Sequence, residues 1–193
     1  MTPRRQLRII LVGTNGTGKT TEADNYIKRY PESKKALIVT LDDFEPTWRK
    51  YPTIEPQHLR NINNIKERKT KILFTDNKLF DDILLYFHDG MLILDDARSY
   101  TGSRDDNLRN IFIRSRQNNL DLLFICHGLS EIPPSLLTFT THIVLFNTTD
   151  SWQRLKTNIP NHQKFEQIVN DVRKKSLENP YHKKIIDVKA DLI

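Results

Sequence analysis

The sequence predicts an α/β fold, three layers deep, with a mainly parallel central sheet covered by helices on both faces. Three observations predict it. Short apolar runs rich in β-branched residues recur at 8–12, 36–40, 91–94, 120–127 and 142–146 and read as buried strands. Stripes with helical spacing fall between them, which implies crossover connections and parallel pairing. A glycine-rich turn joins the first strand directly to the first helix.

Residues 8–12 are the first strand. Ala23, Tyr26, Ile27 and Tyr30 then recur at i, i+3, i+4 and i+7, and Pro31 ends that helix. Residues 36–40 form a second buried strand, with Asp42 and Asp43 where it becomes loop. Residues 48–71 break the pattern. Seven cations face only Glu55 and Glu67 there, Pro52 and Pro56 mark irregular backbone, and Trp48 and Tyr51 lie among the charges. Two readings fit: a basic insertion contacting nucleic acid, with rings for stacking, or a solvated helical face, the commoner case. Residues 71–75 suggest a short strand. Phe80, Ile83, Leu84 and Phe87 give the next helix, with Gly90 expected to close it. Residues 91–96 are four apolar residues followed by Asp95 and Asp96. A helix is expected over 105–117, with Leu108, Ile111 and Phe112 inward and Asp105 and Asp106 at its start. After the strands at 120–127 and 142–146, Trp152, Leu155 and Ile159 make a short amphipathic stretch. Phe165, Ile168, Val169 and Val172 make a longer helix running to Asn179 and Pro180, and residues 184–188 suggest an edge strand.

The bulk properties bound the rest. A chain of 193 residues suits one domain with a full core, a reading that takes 7–150 as the centre and 151–193 as a helical C-terminal part. The hydrophobic share of 37% argues against disorder. No apolar run reaches the roughly 20 residues that span a bilayer. The first residues lead straight into a strand and leave no room for a signal peptide, and the one cysteine, Cys126, suits a reducing compartment. A cytoplasmic location is expected, and the net charge of +6 permits contact with nucleic acid.

The sharpest motif is Gly13, Thr14, Asn15, Gly16, Thr17, Gly18, Lys19, Thr20 and Thr21, which fits G-x-x-x-x-G-K-[ST] between strand and helix. Its backbone N–H groups and the helix N-terminus are suited to cradle the phosphates of ATP. Lys19 is expected at the β- and γ-phosphates and the Thr20 hydroxyl on Mg²⁺. A magnesium ion so held needs a carboxylate from a second side, and Asp95 at the end of a buried strand is the candidate. Asp96 beside it is the candidate base or water-orienting group; the other reading is a pair that caps the following turn. His127, at the polar tip of 120–127, either contacts the γ-phosphate or attacking water or is a satisfied histidine at the core's edge. Arg109, Arg114 and Arg116 offer an arginine finger, from the same subunit or a neighbour, against a reading as surface charge.

These residues, with the 113–127 stretch and the 146–150 end of the fifth strand, resemble the HerA–FtsK group of P-loop ATPases, which includes viral DNA-packaging ATPases and Zot-like phage assembly proteins. The resemblance covers roughly 7–150. It implies a RecA/ASCE-like P-loop NTPase in which the Asp95 strand is not adjacent to the phosphate-loop strand. It implies Lys19 and Thr20 on phosphate and Mg²⁺, Asp95 on the metal, Asp96 as base, Arg114 or Arg116 as finger and His127 as sensor. It further implies a homo-oligomeric ring, hexamer or pentamer, that moves DNA and meets a capsid or portal protein, in a host cytoplasm or with a virion. Asp96 is shorter than the family's usual Glu, and His127 stands where an amide or hydroxyl residue is usual. Two alternatives stay open. A small-molecule kinase of the nucleoside or shikimate type would use Asp42 and Asp43 for its acceptor and the 109–116 arginines as a lid. A nucleotide-dependent assembly factor would bind ATP without working as a motor. A strand between the phosphate-loop strand and the Asp95 strand favours the ATPase; direct adjacency favours the kinase.

Overall fold

The computed structural model describes residues 6–96, Tyr100 and residues 106–192. Seven strands form one sheet: β1 (Arg8–Val12), β2 (Lys35–Thr40), β3 (Lys69–Leu73), β4 (Gly90–Leu94), β5 (Asp121–Cys126), β6 (His142–Phe146) and β7 (Lys183–Asp187). Their order is β3-β2-β4-β5-β1-β6-β7. The first six run parallel, and β7 pairs antiparallel with β6. The edge strand expected at 184–188 is β7, one residue earlier, so the otherwise helical 151–193 part adds a strand to the same sheet.

Strand pleating sorts the core into two. Residues such as Ile9, Leu11, Ile38, Ile93, Leu123 and Ile125 point to one face, which α1 (Lys19–Arg29) covers with Ala23 and Ile27. Their neighbours Ile10, Val12, Val39, Leu92, Leu122 and Phe124 point to the other, with period two. Four helices lie with that second core: α2 (Lys78–Tyr86), α3 (Asp106–Gln117), α4 (Pro134–Leu137) and α5 (His162–Ser176). The rings of Phe112 on α3 and Phe124 on β5 stack with centroids 4.6 Å apart. A last short helix, α6 (Val188–Leu192), follows β7. Every residue of β2, β4 and β5 is buried, which is why those segments read as unbroken apolar runs rather than alternating ones.

Four expectations need correction. Gly90 does not close α2, which stops at Tyr86; it opens β4. A β-carbon on Gly90 would lie 2.5 Å from the Phe87 ring and 2.7 Å from the Lys35 carbonyl oxygen, so the glycine serves close packing and not a helix end. Residues 56–64 form 3₁₀ turns, and the strand expected at 71–75 starts at Lys69. Trp48 and Tyr51 are buried in the α1 face and present no rings for stacking. Of the residues expected at the start of α3, Asp105 lies outside the described residues.

Candidate functional site

The phosphate-type loop leaves β1 and enters α1 at the carboxyl ends of the parallel strands, where ligands of such sheets sit. Two glycines are required for different reasons. A β-carbon on Gly13 would lie 2.6 Å from Phe146 Cβ, so only glycine lets the loop pass β6. Gly18 has φ 91°, in the left-handed region that side chains disfavour. The loop is braced by Thr14 N–H to the Asn147 carbonyl at 2.8 Å and by the Thr17 hydroxyl to the Thr14 carbonyl at 2.8 Å.

Lys19 is 5% exposed, and its Nζ donates to the Thr14 carbonyl at 2.8 Å. Burial pushes its pKa below the ordinary lysine value, and the carboxylates of Asp95, Glu131 and Asp96 pull it back. A buried ammonium whose partner among the described residues is a carbonyl is costly, and an arriving anion relieves that cost. Asn15, Gly16, Gly18, Lys19, Thr20 and Thr21 line a cavity of about 490 Å³, completed by Glu45, Thr47, His127 and Tyr181.

Asp95 follows β4, and its N–H extends the pairing to the Val39 carbonyl at 3.0 Å. Its Oδ2 accepts from the Trp48 indole Nε1 at 2.7 Å and from the Thr40 hydroxyl at 3.5 Å. Burial raises its pKa, with Glu45 and Asp96 adding like charge while the Trp48 hydrogen bond and His127 work against them. Asp96 takes a left-handed φ of 55°, uncommon for a residue with a side chain. Its Oδ1 lies 3.7 Å from His127 Nε2. The His127 N–H donates to Glu131 Oε2 at 3.1 Å. Burial pushes the Cys126 thiol up to about 12, so it stays protonated beside the loop.

The structure therefore brings Lys19, Thr20, Asp95, Asp96 and His127 to one end of the sheet. It does not bring Arg114 and Arg116 there. α3 runs back along the sheet, so Arg114 and Arg116 sit near the amino end of β5. Gln6 Nε2 donates to the Arg116 carbonyl, and Arg116 lies close enough to lower the pKa of Arg8, whose main cause is burial. Arg114 lies 3.8 Å from Asp81, both exposed, and Arg109 is exposed on the same helix. Arg114 and Arg116 therefore stand away from this chain's own loop, while Arg109 lies in the first turn of α3. Nor are Asp42 and Asp43 poised for an acceptor: Asp42 Oδ1 accepts from the Phe44 N–H, and Asp43 pairs with the buried Lys71 at 2.8 Å.

Sequence reasoning missed Thr40, Trp48, Glu131 and Tyr181. The i, i+3 spacing of Trp48 and Tyr51 is the one signal that those rings face inward; the others depend on contacts across the sheet. Among the described residues, no group of three His, Cys, Asp or Glu could hold a metal by itself. Magnesium needs no such group, since one or two carboxylates suffice when phosphates share it. Among the described residues, no helix is long and apolar enough to cross a membrane.

Residues 3–186 match the family model described as Poxvirus A32 protein. Three solved structures are similar. The genome-packaging NTPase B204 of Sulfolobus turreted icosahedral virus 2, in complex with AMPPCP, is 16% identical with a TM-score of 0.68, covering 99% of this chain and 96% of its own. B204 of Sulfolobus turreted icosahedral virus, a DNA-packaging ATPase, is 14% identical with a TM-score of 0.68, covering 96% and 94%. VirB4 of Thermoanaerobacter pseudethanolicus is 8% identical with a TM-score of 0.58, covering 94% and 86%. At these identities the likeness is one of fold. Comparison with curated protein sequences finds no match.

Proposed function

Because the chain belongs to the Poxvirus A32 protein family, we propose that it is an ATP-hydrolysing DNA translocase that packages a viral or mobile-element genome. The resemblance to the HerA–FtsK group of P-loop ATPases holds. One observation carries the reading. β5 stands between the phosphate-loop strand β1 and the Asp95 strand β4, yet Asp95 still acts on Lys19. Direct adjacency of β1 and β4, which a small-molecule kinase would favour, does not occur.

In this reading the loop from Gly13 to Thr21 holds the triphosphate of ATP, with Lys19 on the β- and γ-phosphates. Thr20 and Asp95 would hold Mg²⁺, which when bound would neutralise charge on those phosphates. Both offer hard oxygen ligands, and the two hydrogen bonds to Asp95 fall on Oδ2. Asp96, with His127 beside it, takes a proton from water. The water oxygen bonds to the γ-phosphorus as the bond from that phosphorus to the β–γ bridging oxygen breaks, and ADP leaves. The arginine that stabilises the moving charge comes from a neighbouring subunit, because Arg114 and Arg116 sit at the far end of their own sheet. That requires a head-to-tail ring, and the cationic residues left exposed at 49–68 are available to DNA.

The test is ATP turnover with and without DNA, beside a mass measurement of the nucleotide-bound assembly. The expected result is DNA-stimulated hydrolysis by an oligomer. Tight ATP binding with turnover indifferent to DNA would point to the assembly factor instead.

A further inference from the structure

Tyr181, between α5 and β7, takes part in none of the chemistry above. Its ring is 64% exposed, yet it lines the cavity over the phosphate loop. A β-carbon on Gly18 would meet Tyr181 Cδ1 at 3.4 Å, so the ring edge stands at van der Waals distance from the loop's last glycine. The segment is tied on both sides. Asn179 Oδ1 accepts the Tyr181 N–H at 3.0 Å, and the Asn179 carbonyl accepts the His182 N–H at 2.8 Å. Two residues on, the Lys183 ammonium pairs with Glu22 on α1 and lies 5.9 Å from the Phe146 ring centroid. An exposed ring held in one place beside an anion-binding loop is preorganised to stack on something flat.

Sheet order says which part of the nucleotide reaches it. β1 stands between β5 and β6. Asp95, Asp96 and His127 follow β4 and β5, on one side of the loop. Tyr181 precedes β7, on the other. With the γ-phosphate turned to the acids, the nucleoside leaves the loop on the Tyr181 side.

We propose that Tyr181 is the platform on which the purine base of the nucleotide stacks, a positioning residue that fixes the base end while the loop fixes the phosphates. The proposal rests on the nucleotide-binding reading above. Stacking reads a π face and not a donor pattern, so the platform accepts adenine and guanine alike.

The test titrates the full chain, with Mg²⁺ present, against ATP and against inorganic tripolyphosphate, which has phosphates and no base. Tyr181→Ala should weaken ATP about tenfold, the size of one base–ring stack. It should leave tripolyphosphate unchanged, and Tyr181→Phe should bind ATP as the wild type does. An unchanged ATP affinity in Tyr181→Ala, or equal weakening of both ligands, would overturn the platform. Wild-type chain that binds neither ligand, or Lys19→Ala that binds both normally, would remove the nucleotide site itself and the platform with it.

Discussion

At the carboxyl ends of β1, β4 and β5, Lys19 and Asp95 are held by hydrogen bonds, with Asp96 and the partly exposed His127 paired beside them. At the amino ends of β1 and β5, Arg8, Arg114 and Arg116 gather as cations, with Arg116 exposed. In the proposed reading the first end holds the triphosphate and its metal, and among the described residues Lys19 is the one Lys or Arg that lines its cavity. The second end has cations and no phosphate-binding loop. α3 returns to the start of β5, which sets the two groups at opposite ends of the sheet. In one chain they cannot meet. In the proposed head-to-tail ring each end would supply what the other lacks.

The most severe way to break that complementarity is to remove the arginines. Arg114→Ala combined with Arg116→Ala should lower turnover about 10³-fold or more, the usual worth of an arginine finger, with ATP binding retained. Mixed with wild-type chain, the variant should suppress activity beyond its share, because each subunit completes its neighbour's site. A linear dilution of activity on mixing would show that each chain works alone and that these cations are surface.

Breaking the other pole should look different. Lys19→Ala should lose turnover about 10²- to 10³-fold, the cost of deleting one preorganised charge donor. It should also lose the rise in melting temperature that ATP gives the wild type, since that rise reports binding to the folded state. Loss of turnover with the ATP-induced rise intact would mean that Lys19 acts only on the reaction.

The phosphate-loop motif and Asp95 were legible in the sequence and the contacts around them were not, for a physical reason. A phosphate loop is local: glycines, Lys19 and Thr20 lie within nine residues, and the loop conformation follows from them. The buried strands were legible too, because parallel strands covered on both faces read as apolar runs. Asp95 could be placed from the run before it. Trp48 could not, since a tryptophan among arginines and lysines looks like a ring offered to a base. Only the strand order brings it under Asp95. Gly90 misled in the same way: its reason lies in Phe87 and the Lys35 carbonyl, neither of which is a helix-end signal. The opposite placement of Arg114 and Loop residue Lys19 likewise follows from topology, which no window of sequence contains.

The finest probe of the comparison is Asp95→Asn, because it separates what the acid does for the ligand from what it does to the fold. Asp95 is held above its ordinary pKa chiefly by burial. A carboxyl with a raised folded-state pKa contributes most to stability below its unfolded pKa, where it is protonated in both states. That contribution is lost as the pH rises through the folded value. At neutral pH, therefore, the ionised group works against the nucleotide-free fold, and the neutral amide still accepts the Trp48 indole hydrogen bond. Without nucleotide at pH 7, Asp95→Asn should melt higher by roughly 2–4 °C, the shift that about 1 kcal/mol gives a chain of this size. The difference should shrink as the pH falls through and below the carboxylate range. With Mg²⁺ and ATP the order should reverse, since only the wild type has the metal-side carboxylate. A variant that melts lower at pH 7 without nucleotide would assign the charged Asp95 to holding Trp48 in place.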